Sequence, residues 1–382
     1  MAVELYPTAV VAIAVVVAGV IGVKTRISSS IFEVCAGLVI ANALGIGIAP
    51  WLDFLGTFGG LALTFLAGAE VQFVLLRKQA KQSFGIGSVA FFAPLIGIVT
   101  VLTLFTNWSW QARVAGGLSL TTTSVAVVYA VLSEYGMLKT PTAKTIIAVT
   151  FVNDILTLLG INFIQLSFNF VTLAFVVAMV ALVPVAPRLL RGVVAHFGNR
   201  AIEVELRLVL AILLAISFFA NVANLQAVFG AFVLGLVLAN SIQDHQQILS
   251  KMRTLTFALL APAFFIRAGM LIVLPAVVAN LALVFGLLAT KMGSKFAGVY
   301  GLTKKWIPEA PVFSTMLFST GLTVGTITAT LAEQLGYLST SQFSVVVSVV
   351  ILSAVVPTLI AKRFVPSLGK LEEERGETEE MV

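Results

Sequence analysis

Long apolar runs alternate with short polar connections from one end of the chain to the other. Runs of about 20 apolar residues match helices able to cross about 30 Å of hydrocarbon. The strict period-two alternation of a membrane strand is absent. The pattern predicts about thirteen helices. They lie near residues 6–23, 29–48, 52–75, 84–106, 110–134, 142–167, 169–190, 204–222, 225–242, 254–275, 277–302, 310–334 and 340–361. No basic stretch precedes the first run and no small-residue cleavage site follows it, so it reads as a retained helix. The expected class is an all-α polytopic membrane protein.

Composition strengthens this reading. Of 382 residues, 59% are hydrophobic and 10% charged, where soluble domains carry about 25% charged. Every lysine and arginine except Arg113, Arg267, Lys291 and Lys295 falls in the odd-numbered connections or the C-terminal tail. That asymmetry predicts an extracellular N-terminus and a cytoplasmic C-terminus in the cell (plasma or inner) membrane. One cysteine, Cys35, excludes a disulfide framework and a thiolate metal centre. His196 and His245 both lie in polar linkers, which speaks against a haem or histidine-metal site. No cofactor and no nucleic acid is expected; loop cations account for the net charge of +6. The linker 188–207 divides the chain into halves and is expected to form a short surface helix, and 366–382 reads as a disordered acidic tail.

The polar residues inside apolar runs carry the chemistry. Segment 5 contains "SLTTTSVAVVY" (119–129) and segment 12 contains "FSTGLTVGTIT" (318–328). Each breaks a span at mid-depth with clustered hydroxyls. Small and hydroxyl residues often serve only close packing, but two clusters seven segments apart make segments 2–6 and 9–13 an inverted pair of five-helix repeats. That plan places discontinuous helices around a central ion site. Asp154, in "TFVNDILTLLG" (150–160), lies about 18 Å along its helix from the cytoplasmic end. A carboxylate there costs about 2.5–3.5 kcal/mol or more. With Asn153, Thr121, Thr122, Thr123 and Thr323 it offers an all-oxygen site, suited to a hard monovalent cation or a proton. Lys291 and Lys295 share one helix face, and at least one is expected to meet Asp154 or an opened carbonyl. Glu33 and Glu70 lie near the cytoplasmic face, in reach of water. Arg267 is expected to close a helix end or meet a carbonyl.

The segments "IFEVCAGLVIAN" (31–42), "TTSVAVVYAVLSE" (122–134), "FVNDILTLL" (151–159), "SKFAGVY" (294–300) and the long stretch 319–361 together resemble the bacterial and archaeal cation:proton antiporter superfamily, most closely its Kef/Nap-like branch. The resemblance implies a core bundle (84–167 and 277–361), a dimerisation bundle (6–75 and 204–275), a linker region (168–203) and elevator-like movement in a homodimer. Segments 5 and 12 match the family's crossed, broken helices, and Asp154 matches its transport aspartate. The family's Lys-x-x-Gly pattern fits Lys295, whereas depth favours Lys291, so both remain candidates. Electrogenic relatives carry paired aspartates where this chain has Asn153–Asp154, which implies one-for-one exchange. No nucleotide- or glutathione-responsive domain is seen, so ligand gating is not expected. The expected function is Na+/H+ antiport, with K+/H+ exchange or K+ efflux as the alternative and Li+ as a further possible cargo. A non-transporting scaffold gives no reason for broken helices beside a buried carboxylate.

Overall fold

The computed structural model describes residues 2–25, 28–70, 79–138, 140–165, 170–197, 203–222, 227–243 and 246–366. The acidic tail, apart from Pro366, the linker positions 198–202, and His245 lie outside them. Among the described residues the ordered elements are all helical. They begin with α1 (Ala2–Thr25), α2 (Ser29–Asn42), α3 (Pro50–Ala69), α4 (Ala80–Phe105), α5 (Trp110–Thr121) and α6 (Val125–Glu134). Next come α7 (Pro141–Gln165), α8 (Phe170–Phe197), α9 (Val204–Val222), α10 (Ala227–Gln243) and α11 (Gln246–Leu255). A π-helical turn, Thr256–Leu260, joins α11 to α12 (Ala261–Met270). The chain ends in α13 (Leu274–Ala279), α14 (Leu281–Trp306), α15 (Pro311–Phe318), α16 (Thr323–Gln334) and α17 (Thr340–Ala361). Eight described stretches are helical, long and apolar enough to cross a membrane. The linker's first half continues α8, which runs through Pro184 and Pro187 to Phe197.

The described residues form two compact units. Of these residues, one unit takes those within 48–70 and 162–267, the other those within 2–47, 79–161 and 268–366. In the first, α3 and α10 meet backbone to backbone. A Cβ on Gly235 would strike the Phe65 carbonyl, and one on Gly68 would strike the Phe232 carbonyl. Lipid gives no hydrophobic drive between helices, so small residues that permit such approach supply the packing. Ion pairs close this unit. Arg267, expected at a helix end or a carbonyl, lies in the last turn of α12 and there holds the Asp53 carboxylate, with Nη2 2.7 Å from Oδ1. Glu70, expected to reach water, accepts from Arg253 at 2.8 Å. Lys251 meets Glu203 at 2.6 Å and Glu205 at 3.4 Å.

In the second unit α14 lies along α4, with Gly298 facing Ala93 and Val89, and Gly97 facing Thr290 and Ser294. The buried face of α14 is thereby fixed, and Lys291 and Lys295 lie on it, each 0% exposed. Glu33, also expected to reach water, is buried on α2 and hydrogen-bonded to Ser29.

Gly235→Ala is expected to lower the melting temperature of the detergent-solubilised protein sharply, because the new methyl meets backbone that cannot step aside; overpacking of this kind costs about 1–3 kcal/mol or more. Gly286→Ala, where nothing lies within 4 Å of the added carbon, is expected to melt like the native protein. Equal melting of the two variants refutes the close approach.

Candidate ion-binding site

Two helices are interrupted within the second unit. The first break is Thr122–Ser124, between α5 and α6; the second is Ser319–Leu322, between α15 and α16. Their own hydroxyls stop the helices, since serine and threonine offer the backbone alternative partners. Thr121 Oγ1 donates to the Leu118 carbonyl at 2.9 Å and Thr122 Oγ1 to the Ser119 carbonyl at 3.2 Å. Ser124 Oγ accepts the Val127 N–H at 3.4 Å and so starts α6. At the second break Thr320 Oγ1 donates to the Leu317 carbonyl at 2.7 Å. α5 packs on α16, which brings the two breaks together.

α7 supplies the carboxylate and its neighbours. Asn153 Oδ1 accepts the Thr123 N–H at 3.1 Å, satisfying a donor that the first break releases. One turn on, Thr157 Oγ1 donates to the Asn153 carbonyl at 3.0 Å and lies 3.3 Å from Thr121 Oγ1. Asp154 is 2% exposed. Its Oδ1, like Asn153 Nδ2, is buried without a hydrogen-bond partner among the described residues. No ion pair forms at Asp154 among them either.

Lys295 does not close on the aspartate, because the breaks offer it better-placed acceptors. Its Nζ donates to the Phe318 carbonyl at 2.6 Å, the Thr122 carbonyl at 3.2 Å and Thr123 Oγ1 at 3.1 Å. Thr123 Oγ1 in turn donates to the Phe318 carbonyl at 2.8 Å. The lysine thus spans the C-terminal ends of α5 and α15, whose freed carbonyls carry the negative ends of their helix dipoles. Lys291 takes a different partner and donates to Ser353 Oγ at 2.9 Å.

Of the expected residues, the hydrogen bonds join Asn153, Thr123, Thr122 and Lys295, and they bring Thr121 to α7 through Thr157. Thr323 opens α16, only half-buried, and among the described residues no hydrogen bond links its side chain to the group. Sequence reasoning overlooked Ser353, Thr157 and the Phe318 carbonyl. Thr157 carried a signal, a hydroxyl one turn from Asn153 on the same helix face. Among the described residues no three His, Cys, Asp or Glu converge. One buried carboxylate, Asp154, thus lies next in the chain to an amide that is tied to the first break, whose oxygens are neutral.

Known proteins resemble this chain in sequence and in fold. The Na(+)/H(+) antiporter of Enterococcus hirae is 25% identical over 392 aligned positions, covering 92% of this chain and 96% of that protein. The probable Na(+)/H(+) antiporter GerT of Bacillus cereus is 24% identical over 263 positions, covering 66% of this chain and 70% of that one. The sodium proton antiporter MjNhaP1 of Methanocaldococcus jannaschii, whose structure at pH 8 is known, has the same fold. It superposes with a TM-score of 0.68 at 16% identity, over 94% of this chain and 96% of that one. Residues 10–365 match the family described as sodium/hydrogen exchanger, transmembrane, and the chain belongs to that family of multi-pass membrane transporters.

Proposed function

We propose that the protein is a secondary antiporter that exchanges a monovalent cation, Na+ first among candidates, for a proton, with Asp154 as the shared site. The observation that carries this reading is a buried carboxylate, Asp154, without an ion-pair partner among the described residues, on the helix whose Asn153 is tied to the first break. A carboxylate held only for structure would have some partner, as Glu33 has in Ser29, because a buried group left unsatisfied is strongly destabilising. The named antiporter relatives favour Na+ and H+ as cargo. Loading one cation displaces one proton from Asp154. Asn153 satisfies the Thr123 N–H and holds no second proton, so the exchange is one for one. Elevator-like movement within a homodimer completes the reading, on the strength of the family resemblance.

The deciding experiment reconstitutes the protein in liposomes with an imposed pH gradient and adds Na+, K+ or Li+ while a pH-sensitive dye reports proton movement. The native protein is expected to respond to Na+. Asp154→Asn is expected to abolish the response and to melt at or above the native temperature, since the uncompensated charge is gone. Native-like exchange by this variant overturns the assignment.

Lys295→Met has the opposite signature in stability. It strips the donor from two carbonyls and a hydroxyl, and hydrogen bonds to charged groups are worth about 1.5–3 kcal/mol each. Its melting temperature is expected to fall well below that of Asp154→Asn. A rise comparable to that of Asp154→Asn would mean that the lysine does not hold the breaks.

One-for-one exchange moves no net charge. Under a K+/valinomycin diffusion potential, Na+-driven proton flux is expected to be the same at positive, zero and negative voltage. A moved charge would feel about 2.3 kcal/mol per 100 mV, so clear voltage dependence removes the stoichiometry and leaves the antiport reading in place.

A further inference from the structure

Lys291 is a second buried amine at the helix crossing, and the exchange reaction described above does not use it. It stands one turn from Lys295 on α14 and is 0% exposed. Whereas Lys295 meets three oxygens, the one hydrogen bond that Lys291 Nζ makes among the described residues is to Ser353 Oγ on α17. A buried amine with one neutral partner is costly to keep, so stability alone gives little reason for it. Ser353 carries the contact onward. Its hydroxyl lies 2.8 Å from the Val350 carbonyl and 3.4 Å from the Gly321 carbonyl in the second break.

Gly321 explains where the amine fits. Its backbone is not among the positive-φ positions, so conformational freedom does not demand glycine there. Space does. A Cβ on Gly321 would collide with Lys291 Nζ and lie 3.1 Å from both Ser353 Oγ and Thr122 Oγ1. One turn on, a Cβ on Gly325 would lie 2.7 Å from the same Thr122 hydroxyl and 2.8 Å from the Ser119 carbonyl. Two missing side chains therefore leave a nook in which an amine from α14, a hydroxyl from α17 and a hydroxyl from the first break converge.

We propose that Lys291 is a positioning residue for the exchange reaction: seated against Gly321 and tied to Ser353, it fixes the second break and with it the Thr122 hydroxyl at the ion site. The inference rests on the antiport reading. It places the amine's effect on cation binding in the ground state, not on the rate of the moving step.

The test compares the native protein with Lys291→Met, Ser353→Ala, their double variant, Gly321→Ala, Lys291→Ala and Gly321→Ala/Lys291→Ala, measuring cation KM, maximal flux and melting temperature. Lys291→Met and Ser353→Ala are each expected to raise KM about tenfold, the loss of one strong hydrogen bond. Maximal flux should stay within about twofold. The double variant should be no worse than either single, because both remove one shared contact. Gly321→Ala is expected to melt early. Removing the lysine side chain from that variant should restore its melting temperature while leaving KM as high as in Lys291→Ala. Unchanged KM in Lys291→Met and Ser353→Ala, additive losses in their double, or no recovery of Gly321→Ala overturns the proposal. If the native protein exchanges no cation, the antiport reading falls and takes this one with it. Native exchange with unaltered variants removes only the role of Lys291.

Discussion

A helix broken inside a membrane exposes carbonyls that neither lipid nor the next turn can satisfy. In this protein two such ends face each other, and the Lys295 amine bridges them, donating to the Thr122 and Phe318 carbonyls and to Thr123 Oγ1. Most of the second unit's architecture serves that contact. The small residues of α4 and α14 let those helices lie close, which fixes the rotation of α14. The hydroxyls of Thr121, Thr122 and Thr320 turn back on their own helices, and that of Thr123 reaches across to the Phe318 carbonyl. Asn153 then takes up the Thr123 N–H from the side of α7. Donors and acceptors at the first break are thereby matched from two different helices.

The same contact leaves Asp154 available. A lysine committed to three oxygens is held in place without a carboxylate, so it lends positive potential nearby without closing an ion pair. Among the described residues, four other carboxylates are paired with cations, Asp53 with Arg267, Glu70 with Arg253, and Glu203 and Glu205 with Lys251, while buried Glu33 takes a hydrogen bond from Ser29. The contrast is informative because the buried site is where an unpaired charge costs most. On the proposed reading that cost is offset in each state of the cycle by the ion bound there, a proton or a cation.

Depth along a helix was legible in the sequence; rotation about the helix axis was not. Counting residues from the polar ends put Asp154 and the threonine clusters near mid-membrane, Lys291 about 16 Å deep and Lys295 nearer the interface at about 10 Å, and the two hydroxyl clusters coincide with the two helix breaks. Lys291 and Lys295 share a face, so spacing alone could not assign their partners. The difference came from which oxygens each meets across the interface. Thr323 was grouped with the site by depth, yet it opens α16 half-buried. Ser353 went unnoticed because it is one of three serines, with Ser344 and Ser348, spread through a valine-rich run, and nothing in the spacing singles it out. Arg267 does lie in the last turn of α12, as its reading as a helix-end cation has it, but its partner, Asp53, lies 214 positions away in the chain and went unseen.

Asn153 shows how one residue choice joins architecture to transport. The first break needs an acceptor for the Thr123 N–H, and a carboxylate could serve as well as an amide. A second carboxylate there would stand beside Asp154, and two like charges at such a spacing raise each other's affinity for protons. One of the pair would then hold a proton of its own and take part in the exchange. The amide meets the structural need with its Oδ1 while adding neither charge nor proton. Its Nδ2, buried without a protein partner among the described residues, remains free to donate to whatever oxygen approaches. On the proposed reading, the difference between moving and not moving net charge therefore rests on one atom type at position 153. The fold tolerates that choice because the hydrogen bond it must make is to backbone.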